Sequence, residues 1–111
     1  TMEKITQDTG ITSGDVSRRV MDFGMHIWSS HHPYYIPEPI TLEPTESPSK
    51  DDLDEYIATL HHIFDEAYNN PDIIHSAPNN SVTHQVDESS FDDPKLWCPT
   101  WRVYLRKTKE D

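Results

Sequence analysis

Five prolines fall within residues 25–48, and they limit the fold more than any other feature of the sequence. Each proline removes a backbone N–H and fixes φ, so no regular helix can run through this segment. Aromatic and β-branched side chains alternate with the prolines, which is typical of a segment that packs and not of a solvated linker. We therefore predict proline-rich strands within 25–48, at about 34–36 and 39–43.

The clearest helical pattern follows the prolines. Ser49 and Asp52 have the spacing of a capping box, and acidic residues crowd the first turn, where the helix dipole favours them. Apolar residues then follow one helical face for four turns: Leu53, Tyr56, Ile57, Leu60, Ile63, Phe64 and Ala67. This pattern predicts a long helix over 49–69, and Pro71 begins a short helix over 70–77.

A second helix is predicted before the prolines. Thr12 and Asp15 also have capping-box spacing, and Gly24 can adopt the left-handed conformation that ends a helix. One apolar stripe lies between them: Val16, Val20 and Phe23. We predict a helix over 12–24, after a leading segment 1–11 with weak pattern.

For residues 81–111 we predict a C-terminal strand, or an arm that extends from the domain. Residues 81–86 alternate weakly, as in a strand. The run 97–106 fits a strand by alternation and also fits a helix started by Pro99, and the sequence leaves both open. The predicted fold class is α+β: one small domain in which a short antiparallel sheet packs with two or three helices.

Composition limits the core and the partners. Leu, Ile, Val and Phe make up 22 of 111 residues, a thin supply for one domain. The net charge of −11 argues against nucleic acid as a partner. No apolar run approaches the roughly 20 residues of a membrane span. The single cysteine, Cys98, fits a reducing compartment, and we expect a cytoplasmic protein.

Charge is distributed unevenly along the chain. Residues 38–93 contain fourteen acids and one base, whereas the last ten residues contain Arg102, Arg106, Lys107 and Lys109. This asymmetry predicts that a basic tail folds back or meets an acidic neighbour. The alternative is that both regions are solvated surfaces.

Catalytic and metal-binding patterns are weak. His61 with Asp65 and His62 with Glu66 have i, i+4 spacing that could chelate a metal, but such pairs are more often ion pairs on a solvated face, and we predict no metal site. The sequence has no glycine-rich phosphate loop. The segment 42–47 joins a predicted strand to a helix, where site residues are common, although its hydroxyl and carboxylate groups could equally cap the helix.

Four stretches resemble the C-terminal small domain of glycine decarboxylase, the P-protein of the glycine cleavage system, in its two-subunit form. They are Thr9-Gly-Ile-Thr-Ser13 with Asp15 to His26, Ile40-Thr-Leu-Glu-Pro-Thr-Glu-Ser47, Ser49-Lys-Asp-Asp-Leu-Asp-Glu-Tyr56, and Ala77-Pro-Asn-Asn-Ser81. Residues 27–32 depart from the family pattern.

The resemblance implies the small domain of a fold type I enzyme that uses pyridoxal 5′-phosphate to decarboxylate glycine. Its partners would be the large domain, subunit 1 and the lipoylated H-protein. The family's cofactor lysine follows a histidine, and no such pair occurs in this sequence, so we expect the cofactor and the catalytic residues outside this chain. The motifs suggest four residues on the active-site side: His26, Glu43, Thr45 and Glu46.

Two other functions remain open. The chain could be a free-standing interaction module, or a histidine-based metal binder. The match begins after the first strand expected of the small domain, and a missing strand would leave an open sheet edge. Because open edges pair, we also expect a homodimer of the isolated chain.

Overall fold

The structure is a computed structural model that describes residues 1–27, 33–87, 89 and 100–109. This part contains five helices: α1 (Glu3–Thr9), α2 (Ser13–Met21), α3 (Lys50–Asn69), α4 (Pro71–His75) and α5 (Trp101–Lys107). None of the described residues forms a strand. The predicted α+β class with an antiparallel sheet is therefore wrong, and the described part of the fold is helical.

The proline-rich segment turns where strands were predicted. The N–H of Ile36 donates to the carbonyl of Pro33 at 3.0 Å, which closes a turn across the first predicted strand. Glu38 has a φ of +46°, a left-handed conformation that no strand contains. Residues 41–50 are exposed, so the second predicted strand continues into a surface segment. The alternation of apolar residues with prolines reflects local packing, as at Ile40, and not a β-ladder.

The ends of α2 follow from its sequence. The Thr12 hydroxyl accepts the Asp15 N–H, and the Asp15 carboxylate accepts the Thr12 N–H, which completes the capping box. At the other end, Gly24 has a φ of +73° and its N–H donates to the carbonyl of Met21. The N–H of Met25 donates to Val20, which makes this a Schellman closure. This closure turns the chain away from the helix axis just before His26.

Helix α1 occupies the leading segment, where the sequence predicted only weak pattern. Its seven residues are too few to display a helical repeat. Gly10 ends the helix with a φ of +79°, and its N–H donates to the carbonyl of Thr6 at 2.8 Å. Met2, just before α1, is 4% exposed, so this end of the chain belongs to the core.

Helix α3 is the centre of the described fold and packs against α1, α2 and α4. Its C-terminal half buries Leu60, Ile63 and Ala67. The other core residues are Met2, Ile11, Val16, Val20, Ile27 and Ile74. The N-terminal half of α3 extends the same stripe outward, and Ile57 there is 53% exposed. The apolar stripe of α3 is therefore half core and half surface.

Helix α5 settles part of the ambiguity at 97–106 in favour of a helix. Thr100 caps it by accepting the N–H of Val103 at 3.3 Å. Trp101 stacks on Tyr104, with 4.9 Å between ring centroids, and is 71% exposed. Residues 97–99 lie outside the described residues, so the strand alternative has no test there.

Candidate functional site

A groove of about 800 Å³ lies beside the N-terminal half of α3. Its walls are formed by the residue after the turn that ends α2, by the exposed segment before α3, and by α3 itself. The lining residues are His26, Thr41, Leu42, Glu43, Pro44, Pro48, Leu53, Tyr56 and Ile57. Most of this lining is apolar, and burial raises the pKa of the Tyr56 hydroxyl. The groove can therefore bind an apolar surface and offer an imidazole, a carboxylate and a phenol as polar contacts.

The structure brings two of the four predicted site residues together. His26 and Glu43 both line the groove, although they are 17 positions apart in the sequence. Thr45 and Glu46 follow on the same exposed segment but are not among the lining residues. The Thr45 hydroxyl accepts the N–H of Ser47 at 3.4 Å, a local turn contact.

The segment 42–47 does not cap the start of α3. The Ser49 hydroxyl accepts the N–H of Asp52 at 3.1 Å, and the Asp52 carboxylate accepts the N–H of Ser49 at 2.8 Å. Capping by Ser49 and Asp52 leaves Thr45 and Glu46 available for other contacts. Whether these residues face an active site stays a prediction.

Sequence reasoning missed a buried ionic cluster on the opposite half of α3. The Arg19 guanidinium donates to both carboxylate oxygens of Glu66, at 2.9 and 2.8 Å, and to Asp22 at 2.9 Å. The Arg19 and Asp22 side chains are only 9% and 1% exposed. The cluster joins α2 to α3. The i, i+3 spacing of Arg19 and Asp22 is visible in the sequence, whereas Glu66 is 47 residues from Arg19 and only the fold brings it there.

Asp22 also holds the segment after α4. Its carboxylate accepts the N–H groups of Asn79 and Asn80 at 2.6 and 2.7 Å. Burial raises the pKa of Asp22, but the hydrogen bonds from Asn80, Arg19 and Asn79 outweigh it, and the net pKa is lowered. The carboxylate is thus held ionised at the meeting point of two helices and the Ala77–Ser81 segment.

One of the two histidine pairs considered for metal binding, His62 with Glu66, makes other contacts. His62 Nε2 lies 3.1 Å from Glu66, which Arg19 already engages, and the His62 ring meets Phe23 edge-on at 5.6 Å. Within the described residues, no three potential ligands among His, Cys, Asp and Glu gather into a metal-binding group. Another adjacent pair of histidines in the sequence, His31 and His32, lies outside the described residues. In the same part of the chain, no helix has the length and apolar character to cross a membrane.

Comparison with known proteins connects the chain to a described family. Residues 1–86 match the family model described as glycine dehydrogenase, C-terminal domain. The chain is 40% identical over 104 residues to the probable glycine dehydrogenase (decarboxylating) subunit 2 of Thermococcus gammatolerans, covering 93% of this chain and 20% of the relative.

Two further relatives carry the same name. The protein of Thermococcus onnurineus is 38% identical over 108 residues, 97% of this chain and 21% of the relative. The protein of Thermotoga maritima is 38% identical over 86 residues, 78% of this chain and 18% of the relative. The chain thus spans about a fifth of the length of these relatives. No solved structure gives a significant match.

Proposed function

This chain belongs to the family of glycine dehydrogenase C-terminal domains, and we propose that it acts as that domain in a decarboxylating glycine dehydrogenase. The observation that carries the proposal is the family match over residues 1–86. The reaction would be the decarboxylation of glycine, with transfer of the aminomethyl group to a lipoyl arm. Because the chain spans a fifth of its relatives, the catalytic apparatus would be built mainly by the remaining length.

The resemblance to glycine decarboxylase implies pyridoxal phosphate as the family's cofactor, and neither Lys4 and Lys50 nor the groove lining fits it. A pyridoxal site needs a lysine for the imine and a cluster of N–H donors for the phosphate. Lys4 and Lys50 lie on helix surfaces, 85% and 84% exposed, and pair with Asp8 and Asp54. The groove lining contains no lysine or arginine. These observations support a cofactor site outside the described part of this chain.

We propose that the groove marks the side of the domain that faces the active-site mouth. His26 and Glu43 line it, and Thr45 and Glu46 follow on the same surface segment. These polar groups would hydrogen-bond the large domain or the arriving substrate arm, and the apolar lining would help to exclude water. Their contribution would be positioning, since none of them has a partner that makes it a nucleophile or a strong base.

The proposed partners are the large domain, subunit 1 and the lipoylated H-protein. The relatives are named as second subunits, which supports at least one other subunit in the assembly. The single cysteine supports a cytoplasmic location.

A chimera tests the proposal. In the Thermococcus gammatolerans relative, the matching fifth would be replaced by this chain and assembled with subunit 1, H-protein and cofactor. The measurement is release of labelled CO₂ from carboxyl-labelled glycine. We expect activity in the chimera and none in the same protein with that fifth deleted.

Point variants then test the groove. In the active chimera, His26→Ala and Glu43→Gln should each lower the turnover by about tenfold or more. The reason is that a substrate arm or domain held in the wrong position slows the reaction. The matched control is Glu55→Gln, an exposed carboxylate on α3 that does not line the groove. An inactive but folded chimera would overturn the function, and equal effects of all three variants would overturn the role of the groove.

A further inference from the structure

The groove beside α3 contains a tyrosine that the sequence assigned only to an apolar stripe. Tyr56 forms part of the α3 wall, and its ring packs against the core. The other polar side chains of the lining are exposed, whereas Tyr56 is half-buried; they are His26, Thr41 and Glu43. Tyr56 is therefore the most shielded polar residue of the groove.

The Tyr56 hydroxyl makes no hydrogen bond within the described residues. The same part of the chain has only one sealed, unpartnered side-chain polar atom, on Arg18, so solvent still reaches this hydroxyl. By contrast, Tyr68 further along α3 donates its hydroxyl to Asp8 at 3.1 Å. Burial raises the pKa of Tyr56, so its hydroxyl keeps the proton near neutral pH and remains a donor without an acceptor.

This donor limits what can fill the groove. A purely apolar occupant would displace water from the Tyr56 hydroxyl and leave it unpaired, which costs free energy. An anionic occupant would meet the Glu43 carboxylate in a lining that contains no lysine or arginine. A neutral carbonyl therefore suits Tyr56, and an N–H group suits Glu43. An amide supplies both groups, and the apolar lining requires aliphatic chain beside it.

We propose that Tyr56 is a binding residue of this groove, and that its hydroxyl donates a hydrogen bond to the amide carbonyl of an uncharged aliphatic arm. The inference rests on the proposed function, in which that arm is the lipoyl-lysine side chain of H-protein. It names the group that would select an amide-linked arm. Tyr56 would bind and orient the arm, and no covalent bond of the arm would change there.

The size of the groove favours an arm over a folded surface. Its volume of about 800 Å³ lies within the range of roughly 300–1,000 Å³ that is usual for sites of single small ligands. Such sites are mostly apolar and contain a few polar groups that fix orientation, as this one does. A second copy has no support, because the sheet edge that would pair two copies is absent from the described residues.

Titration of the full chain with lipoamide, followed by NMR, tests the proposal. Lipoamide has the aliphatic chain and the neutral amide, whereas lipoate has a carboxylate in place of the amide. We expect lipoamide to bind at least about fivefold more tightly than lipoate and to shift the resonances of the groove residues. Tyr56→Phe should weaken lipoamide binding by about fivefold, the effect of losing one neutral hydrogen bond.

Tyr68→Phe is the matched control. It removes the hydroxyl of another tyrosine on α3, which does not line the groove, and should leave lipoamide binding unchanged. Tyr56→Phe keeps the ring that packs against the core, so both variants should fold, which circular dichroism would verify.

Kinetics of the active chimera separate this role from a structural one. Tyr56→Phe should raise the KM for lipoylated H-protein by about fivefold and change kcat by less than about twofold, because a binding contact is lost. Tyr68→Phe should change neither. An inactive chimera would overturn the proposed function, whereas the titration would still decide whether the groove binds the amide.

Three results would overturn the inference even with an active chimera. One is lipoamide that binds no better than lipoate. Another is equal binding of lipoamide by the wild-type chain, Tyr56→Phe and Tyr68→Phe. The third is an unchanged KM together with a less stable Tyr56→Phe chimera, which would assign the groove to contact with the large domain.

Discussion

At the scale of single residues, Asp22 connects more of the chain than any side chain that the sequence singled out. It accepts hydrogen bonds from Arg19 on α2 and from the N–H groups of Asn79 and Asn80. Its side chain is 1% exposed, so the carboxylate is shielded from water where it makes these bonds. The position of the Ala77–Ser81 segment therefore depends on this one group.

Asp22→Ala should lower the free energy of unfolding by about 2–4 kcal/mol, because it leaves Arg19 with one partner fewer and two N–H groups without an acceptor. Urea unfolding followed by circular dichroism measures this change. The control is Asp54→Ala, which removes an exposed partner of Lys50 and should have no detectable effect. Similar losses for both variants would show that the buried cluster does not stabilise the fold.

Glu66 makes the stability of the same cluster depend on pH. The hydrogen bond from Arg19 lowers the pKa of Glu66 from its ordinary value of 4.5, and this effect outweighs the opposing effect of burial. A carboxyl group with a lowered folded pKa contributes stability above its unfolded pKa and loses it as the pH falls through the folded value.

The difference in unfolding free energy between the wild-type chain and Glu66→Gln tests this dependence. It should be largest near neutral pH, where Glu66 is ionised in both states, and should shrink steadily below the ordinary carboxyl pKa of 4.5. Urea unfolding at several pH values measures it. A difference that does not change between pH 3 and 7 would contradict the assignment.

At the scale of elements, the helices that carry their own signals could be predicted. Thr12 with Asp15 and Ser49 with Asp52 form the capping boxes that their spacing indicates. Helix α1 could not be found in this way, because seven residues show no repeat and its evidence, the burial of Met2 against the fold, is tertiary. The family resemblance, which rests on four stretches of the sequence, is confirmed by the match over residues 1–86.

The proline-rich segment shows where local reasoning fails. Prolines exclude a helix, but they do not supply a partner strand, and a strand is stable only through its neighbours. Contacts with the helices decide its course: the Glu38 carbonyl accepts the N–H of Met2 at 2.9 Å, and the Glu38 carboxylate accepts the N–H of Ser13 at 2.7 Å. The second bond satisfies a free donor in the first turn of α2. No sequence pattern marks a contact between residues 25 positions apart.

Glu38 should therefore fix the proline-rich segment to the helices. Glu38→Ala keeps the left-handed backbone but loses the acceptor for Ser13, and should cost about 1–2 kcal/mol of unfolding free energy. Glu38→Gln retains an oxygen in the same place and should cost less than half as much. Thermal and urea unfolding of the two variants provide the comparison. Equal losses would mean that the side-chain bond to Ser13 contributes nothing.

At the scale of the whole molecule, the two short helices near the ends of the chain have different roles. Helices α1 and α5 each have seven residues. Helix α1 packs against α3, and the adjacent Met2 is 4% exposed, whereas the large side chains of α5 face solvent. Among the described residues, the buried apolar side chains are thus concentrated in and around α1 to α4, and α5 leaves its aromatic side chains exposed.

Deleting either end separates these roles. Removal of residues 1–9 should lower the free energy of unfolding by about 2–4 kcal/mol, because it uncovers the core around Met2 and Ile5. Removal of residues 100–111 should change it by less than about 0.5 kcal/mol, because exposed groups contribute little to folding. A second deletion that destabilises the chain as much as the first would show that α5 packs on its own chain and serves the core.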